Sequence, residues 1–303
     1  MKIDFSNKVV QWVTLIFLAF IWGSSFILMK KGLISFTPEE IASYRVFCVA
    51  LVLLPFVIKY FDYLAGKRFW IFFLAGIFGS LLPYFFFVKA QTHIDSSLSG
   101  ILNSTTPIFT LLLAVLVFKQ TFKPMSVLGV IAGFVGAAGL IAFRSDSFDL
   151  GSFSLYAILP VIAASSYGVN VNLIKMYLQD VRPMAVTSLS FFTVGIIAGV
   201  YLFGFTDFVD KLTHGGAETY KSLGFVTILA VVGTALCVYI FNMLIKETSA
   251  LFASSVTYMI PVFAIFWGVL DGENFNAIQA VFAAVILLGV SLINSNRKFK
   301  RSK

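Results

Sequence analysis

Charge is scarce in this sequence. Only 12% of its 303 residues are Asp, Glu, Lys or Arg, against roughly 25% in a soluble globular domain, so an ordinary water-soluble fold is excluded. No Asp or Glu lies deep in any of the long apolar runs. That absence disfavours lipophilic cations as substrates and leaves no obvious proton relay, because both uses rest on a buried carboxylate. Membrane-embedded chemistry on lipid or prenyl groups loses its machinery as well. Paired intramembrane aspartates, an HExxH helix and a GxGD element are all missing. Of two histidines, His93 stands at the boundary of an apolar run near Asp95, which reads as interfacial. Two cysteines, Cys48 and Cys237, fall inside apolar runs far apart, which argues against a disulfide framework or a thiolate metal site. No metal and no other cofactor is expected.

What fills the chain is hydrophobic, at 59% of residues with a mean hydropathy of +0.94. A membrane-crossing helix needs about 20 apolar residues to span roughly 30 Å of hydrocarbon. Ten stretches reach or approach that length: Val9–Met29, Ile41–Ile58, Phe69–Val88, Ser97–Phe118, Met125–Phe143, Phe153–Ile174, Met184–Phe205, Ser222–Ile245, Ser249–Leu270 and Phe275–Asn294. The reading is an all-α integral membrane protein of ten transmembrane helices, with the lipid bilayer as its surroundings. The first run has no small-residue cleavage site behind a short apolar core, so it is expected to stay in the mature protein. Links are short and leave no soluble domain. Assigning them alternately to two sides gives a net +11 on the side of both termini against −3 on the other, together the chain's +8. By the positive-inside rule both termini are expected to be cytoplasmic, in a plasma (inner) membrane. The basic tail "NRKFKRSK" then serves as a topology signal on anionic lipid, and no nucleic-acid partner is expected.

The chain also repeats itself. Shifted by 145 residues, "WGSSFILMKKGL" lands on "YGVNVNLIKMYL", matching Gly23 to Gly168, Lys30 to Lys175 and, in the following link, Pro38 to Pro183. Further on the shift becomes 154, pairing Gly79 with Gly233 and Pro107 with Pro261. The nine extra residues fall in the longest loop, "DFVDKLTHGGAETYKS". Two copies are expected, 1–148 and 149–303, with five spans each. An odd number per copy makes the second enter the membrane from the opposite side, the inverted-topology repeat of secondary transporters.

Candidate functional residues follow from polarity at depth. Pro107 and Pro261 fall about ten residues into their spans, where a proline cannot donate to the carbonyl four residues back, and both are expected helix breaks. Those carbonyls belong to Asn103 and Thr257, themselves repeat partners. Freed backbone in a bilayer has to be buried or to line a wet cavity. Ser96, Ser99, Asn103, Thr106 and Thr110 share one helix face around Pro107; they are cavity lining or helix–helix glue. Asn170 and Asn172 are two apart and cannot both face one groove squarely. Trp22, Ser25, Tyr84, Tyr167, Tyr239, Asn242 and Tyr258 complete a candidate lining of aromatic faces and neutral polar groups. Arg45 is the one basic residue well within a span. About one turn in, it either snorkels to the interface or recognises a carboxylate.

These residues resemble the EamA family of the drug/metabolite transporter superfamily. The likeness rests on Trp22-Gly23-Ser24-Ser25-Phe26 with Lys30, on Arg45 with Phe47, on "SSLSGILNSTTP" and "SALFASSVTYMIP", and on Gly272-Glu273, Gln279 and Gly289. Lys119 stands where the family often has Glu, and Ala283 where Gly is usual. The resemblance implies a carrier that exports amino acids or related small polar or zwitterionic metabolites through a central cavity between its halves. A small-molecule substrate is thus the expected partner. The oligomeric state stays open, with a monomer as one reading. An exporter of neutral amphiphiles is the alternative, prompted by 35 Phe; a lipid-modifying enzyme and a passive structural or receptor-coupling protein are remote.

Overall fold

Short polar residues set the first two helix starts. Asn7 accepts from the Val9 amide and opens α1 (Lys8–Gly32). Thr37 and Glu40 form a reciprocal capping box with Pro38 in the first turn, which opens α2 (Pro38–Val52). The computed structural model describes residues 7–94, 96–142, 155–270 and 277–295, and within them every regular element is helical. The chain continues through α3 (Leu54–Tyr60), α4 (Arg68–Gly76), a π-helical turn Ile77–Leu81, α5 (Leu82–Ala90), α6 (Ser96–Asn103), α7 (Thr106–Leu116) and α8 (Pro124–Ala142). The rest comprises α9 (Ile158–Tyr177), α10 (Pro183–Gly204), α11 (Phe208–His214), α12 (Ala217–Ala230), a second π-helical segment Val231–Leu236, α13 (Cys237–Glu247), α14 (Ala250–Ser254), α15 (Val256–Leu270) and α16 (Ala277–Ser295).

Among the described residues five helical segments are long and apolar enough to cross a membrane, or six if the α2–α3 pair, bent by 59°, counts as one span. Four shorter apolar helices lie at Thr106–Leu116, Pro124–Gly139, Ala250–Phe263 and Ala280–Ile293. Proline accounts for two of the departures from unbroken spans. Pro55 sits in the first turn of α3 and removes a donor just where α2 ends at Val52. Pro107 likewise occupies the first turn of α7, so the expected span Ser97–Phe118 divides at Ser104–Thr105. Pro261 behaves differently from the expected break. It stays inside α15, and the division falls earlier, at Ser255. Short α11 was not expected at all. Its Phe208 is buried against Phe36, Tyr44 and Phe203, which anchors a segment read from sequence as loop.

Packing threads the first half of the chain through the second. Helix α1 packs on α12 and α15, while α9 packs on α5 and α7. Helix α2 lies along α10, and α8 along α16. The α8–α16 contact is backbone against backbone: a Cβ at Gly289 would stand 2.6 Å from the Gly133 amide and 2.8 Å from the Gly129 carbonyl. Without water to drive association, such close approach supplies the attraction between helices.

Lys175 ties one end of the bundle. Its ammonium donates to the carbonyls of Ile245 (3.0 Å), Lys246 (3.0 Å) and Thr248 (2.6 Å) at the α13 terminus, where a cation also suits the helix dipole. Lys30, its sequence counterpart, is exposed. Lys175→Met is expected to lower stability by about 1–2 kcal/mol, read as an earlier detergent melting midpoint. An unchanged midpoint would show that the three carbonyls need no cation.

Candidate functional site

A cavity opens at the junction of α1, α2, the α4–α5 span, the broken α6–α7, α9, α13 and the broken α14–α15. Nine of the expected residues border it: Trp22, Ser25, Arg45, Tyr84, Asn103, Thr106, Tyr167, Asn170 and Thr257. It leaves about 110 Å³ for the centres of water-sized spheres. Seating one water takes roughly 10–15 Å³, so a guest of on the order of ten non-hydrogen atoms is the right scale.

Helix breaks shape its floor. The Asn103 carbonyl at the end of α6 accepts the Thr106 hydroxyl at 2.7 Å. The Thr257 carbonyl, which Pro261 cannot serve, accepts the Ser104 hydroxyl at 3.1 Å from the other half. Each freed carbonyl is thus satisfied by a neighbouring hydroxyl. The first π-helical segment borders the cavity at Gly79, and the second packs behind Trp22 and Ser25. Pro83 lacks the amide that would have bonded the Gly79 carbonyl, which accounts for the widened turn before it. In the second segment the Gly233 carbonyl accepts the Trp22 indole at 2.9 Å. Asn170 lies so tightly over Gly79 that no Cβ would fit there, and Ser25 Oγ lies 3.3 Å from where a Gly233 Cβ would stand.

Arg45 does not snorkel. Its side chain is only 6% exposed and borders the cavity. The guanidinium lies 3.8 Å over the Tyr84 ring, Nη2 donates to Thr234 at 3.0 Å, and Nη1 finds only the Met29 sulfur at 3.9 Å. Nε has no partner. The nearest acids along α2 are engaged elsewhere, Glu39 with Lys89 (3.1 Å) and Glu40 with Lys211 (2.7 Å). No acidic residue borders the cavity among the described residues. A buried cation without a counter-ion is costly, and the fork of a guanidinium is shaped for a carboxylate.

Three expected residues stand elsewhere. Tyr258 is fully buried over Gly133, and its hydroxyl donates to the Val130 carbonyl at 2.8 Å; it binds α15 to α8. Asn242 donates to Thr187 at 2.9 Å and holds α13 on α10. Tyr239 is half-buried off the cavity. Val238 and Phe241 take the cavity face of α13, one residue back and so roughly 100° round the helix. The asparagine pair divides as its spacing requires: Asn170 faces the cavity, while Asn172 donates to Thr110 and Gly168 carbonyls, both at 2.9 Å. Met29, Gly79, Phe87 and Phe241 border the site without having been expected there. Helical spacing from Trp22 and Ser25 leads on to Phe26 and Met29, so part of that signal was present. Tyr258→Phe is expected to cost about 1 kcal/mol of stability and to leave transport unchanged; a transport defect in folded protein would return the residue to the site.

The sequence matches the EamA-like transporter family over residues 10–142 and again over 154–295. The chain belongs to the EamA-like transporter family. It is therefore a multi-pass membrane protein of a transporter family, for which a small-molecule substrate is implied. An uncharacterized transporter of Archaeoglobus fulgidus is 23% identical over 95% of this chain and 99% of its own length. The uncharacterized inner membrane transporter YedA of Escherichia coli (strain K12) is 26% identical, over 90% and 87% respectively. A WAT1-related chloroplastic protein of Arabidopsis thaliana, At3g02690, is 22% identical over 94% and 69%. One crystal structure aligns with a TM-score of 0.71 at 15% identity, covering 93% of this EamA-family chain and 95% of its own. That likeness concerns the fold.

Proposed function

We propose that this protein is a secondary transporter that exports a small polar or zwitterionic metabolite, amino acids first among them, by alternating access through the central cavity. Arg45 carries the reading: a buried guanidinium without a counter-ion among the described residues, bordering a cavity of metabolite size. The two copies would be related by a pseudo-twofold axis in the membrane plane, ten spans in all. Several pairings support that arrangement. The π-helical segments begin 154 residues apart, the two family matches divide the chain in the same place, and α1 on α15 is mirrored by α9 on α7. Ser25 against Gly233 is mirrored by Asn170 against Gly79. Motion of one copy against the other would open the cavity first to one side and then to the other. Both termini would lie on the cytoplasmic side of an inner membrane.

The apolar share of the lining favours one alternative, an exporter of neutral amphiphiles; Arg45 weighs against it. The test is counterflow in proteoliposomes preloaded with unlabelled metabolite pools, using a labelled panel led by amino acids. Accumulation above empty liposomes is expected for some members. No accumulation of any member by folded protein would remove the carrier reading.

A further inference from the structure

Among the described residues, two side chains that border the cavity each hold a buried polar atom without a partner, and the two atoms differ in kind. Arg45 Nε is a charged donor, and Asn170 Oδ1 is a neutral acceptor on the opposite copy. An amino acid would satisfy the first with its carboxylate. Its ammonium would then enter a lining whose one charge, among the described residues, is already positive. Aromatic faces attract cations, but the guanidinium already lies over Tyr84, and Tyr167 is stacked on Phe87 with ring centroids 6.0 Å apart. Asn170 offers an uncharged oxygen, which suits a hydroxyl or a neutral N–H and compensates a full charge poorly. Around these atoms the wall is apolar, from Trp22, Phe26, Phe87, Phe241 and Ile260.

We infer that the site selects an organic monocarboxylate with an apolar body and a neutral hydrogen-bond donor, a 2-hydroxy acid in preference to the matching 2-amino acid. Arg45 takes the carboxylate, Asn170 accepts from the hydroxyl, and the aromatic wall holds the body. This rests on the carrier reading above and departs from it in one respect, placing 2-hydroxy acids ahead of the amino acids named first there.

Three compounds on one skeleton separate the possibilities. They are 3-phenyllactate (carboxylate and hydroxyl), phenylalanine (carboxylate and ammonium) and phenylalaninol (hydroxymethyl and ammonium). Each is presented as label to proteoliposomes loaded with the same unlabelled compound. Phenyllactate is expected to exchange at least about tenfold faster than phenylalanine, since the ammonium leaves a desolvated charge unmatched, and phenylalaninol is expected to stay at background. In Asn170→Leu phenyllactate exchange falls toward the phenylalanine rate, so the advantage shrinks; in Arg45→Gln, with a melting midpoint no lower than the parent's to certify folding, phenyllactate exchange is lost. Equal or faster exchange of phenylalanine overturns the inference and leaves the carrier reading intact. Background exchange for all three overturns it too, and the carrier reading then stands or falls on the wider panel.

Discussion

Arg45→Gln is expected to reduce transport by at least about tenfold while leaving the protein as stable as before, or more so. The first half follows from the loss of a charge-assisted pair with the substrate. Hydrogen bonds to charged groups contribute roughly 1.5–3 kcal/mol, which converts to about 10- to 150-fold in affinity. The second half has the opposite sign from most buried substitutions. Arg45 is 6% exposed and holds one good hydrogen bond, to Thr234. Removing an uncompensated buried charge relieves its desolvation cost. A residue kept for folding would show the reverse, with falling stability and activity together. Counterflow and detergent melting on the same preparation check both halves. A variant that transports normally would show that the guanidinium does not meet the substrate.

Gly289→Leu is expected to destroy the fold rather than the function of a folded protein. The new Cβ would meet backbone, not a side chain that can turn away: the Gly133 amide at 2.6 Å and the Gly129 carbonyl at 2.8 Å. Helices α8 and α16 would have to part along their whole contact, at a cost of roughly 3 kcal/mol or more. Gly224→Ala is the control, since nothing lies within 4 Å of a Cβ there. In mid-helix it is expected to be neutral or to stabilise by about 0.5–1 kcal/mol. Yield of monodisperse protein and melting midpoint measure both. A well-folded Gly289→Leu protein would mean that the two helices do not touch as described.

How much of this was written in the sequence differs from residue to residue. Apolar run length located the helices, because a bilayer imposes that length, and Pro107 marked a real division of its span. Pro261 misled, because a helix accepts a proline when another hydroxyl, here Ser104, reaches the orphaned carbonyl. Nothing local announces that hydroxyl, which comes from the other half. The candidate set was found by looking for polar groups at depth, and polarity does not say which way a helix is turned. Trp22, Ser25 and Asn170 were turned inward. Tyr239, Asn242 and Tyr258 were equally polar, and the latter two met their needs against α10 and α8 instead. The π-helical segments were invisible: Pro83 gave a reason for one of them, but no residue type marks the other. Arg45 could be placed by depth alone at either of two ends, and its burial became legible only once Tyr84 and Thr234 were seen to hold it. Gly272, Glu273, Asp95 and Ser96's side chain lie outside the described residues.

Alternating access requires that one cavity face both sides of the membrane in turn. A single thiol in its wall tests that directly. Val238→Cys places one on the cavity face of α13, in a background where the native Cys48 and Cys237 are replaced by Ser and Ala. A small, membrane-impermeant methanethiosulfonate is applied to right-side-out and to inside-out vesicles that retain counterflow. Alternating access predicts modification from both sides, slowed from each by saturating substrate. Modification from one side only, with or without substrate, would describe a pocket with a single mouth and contradict the account.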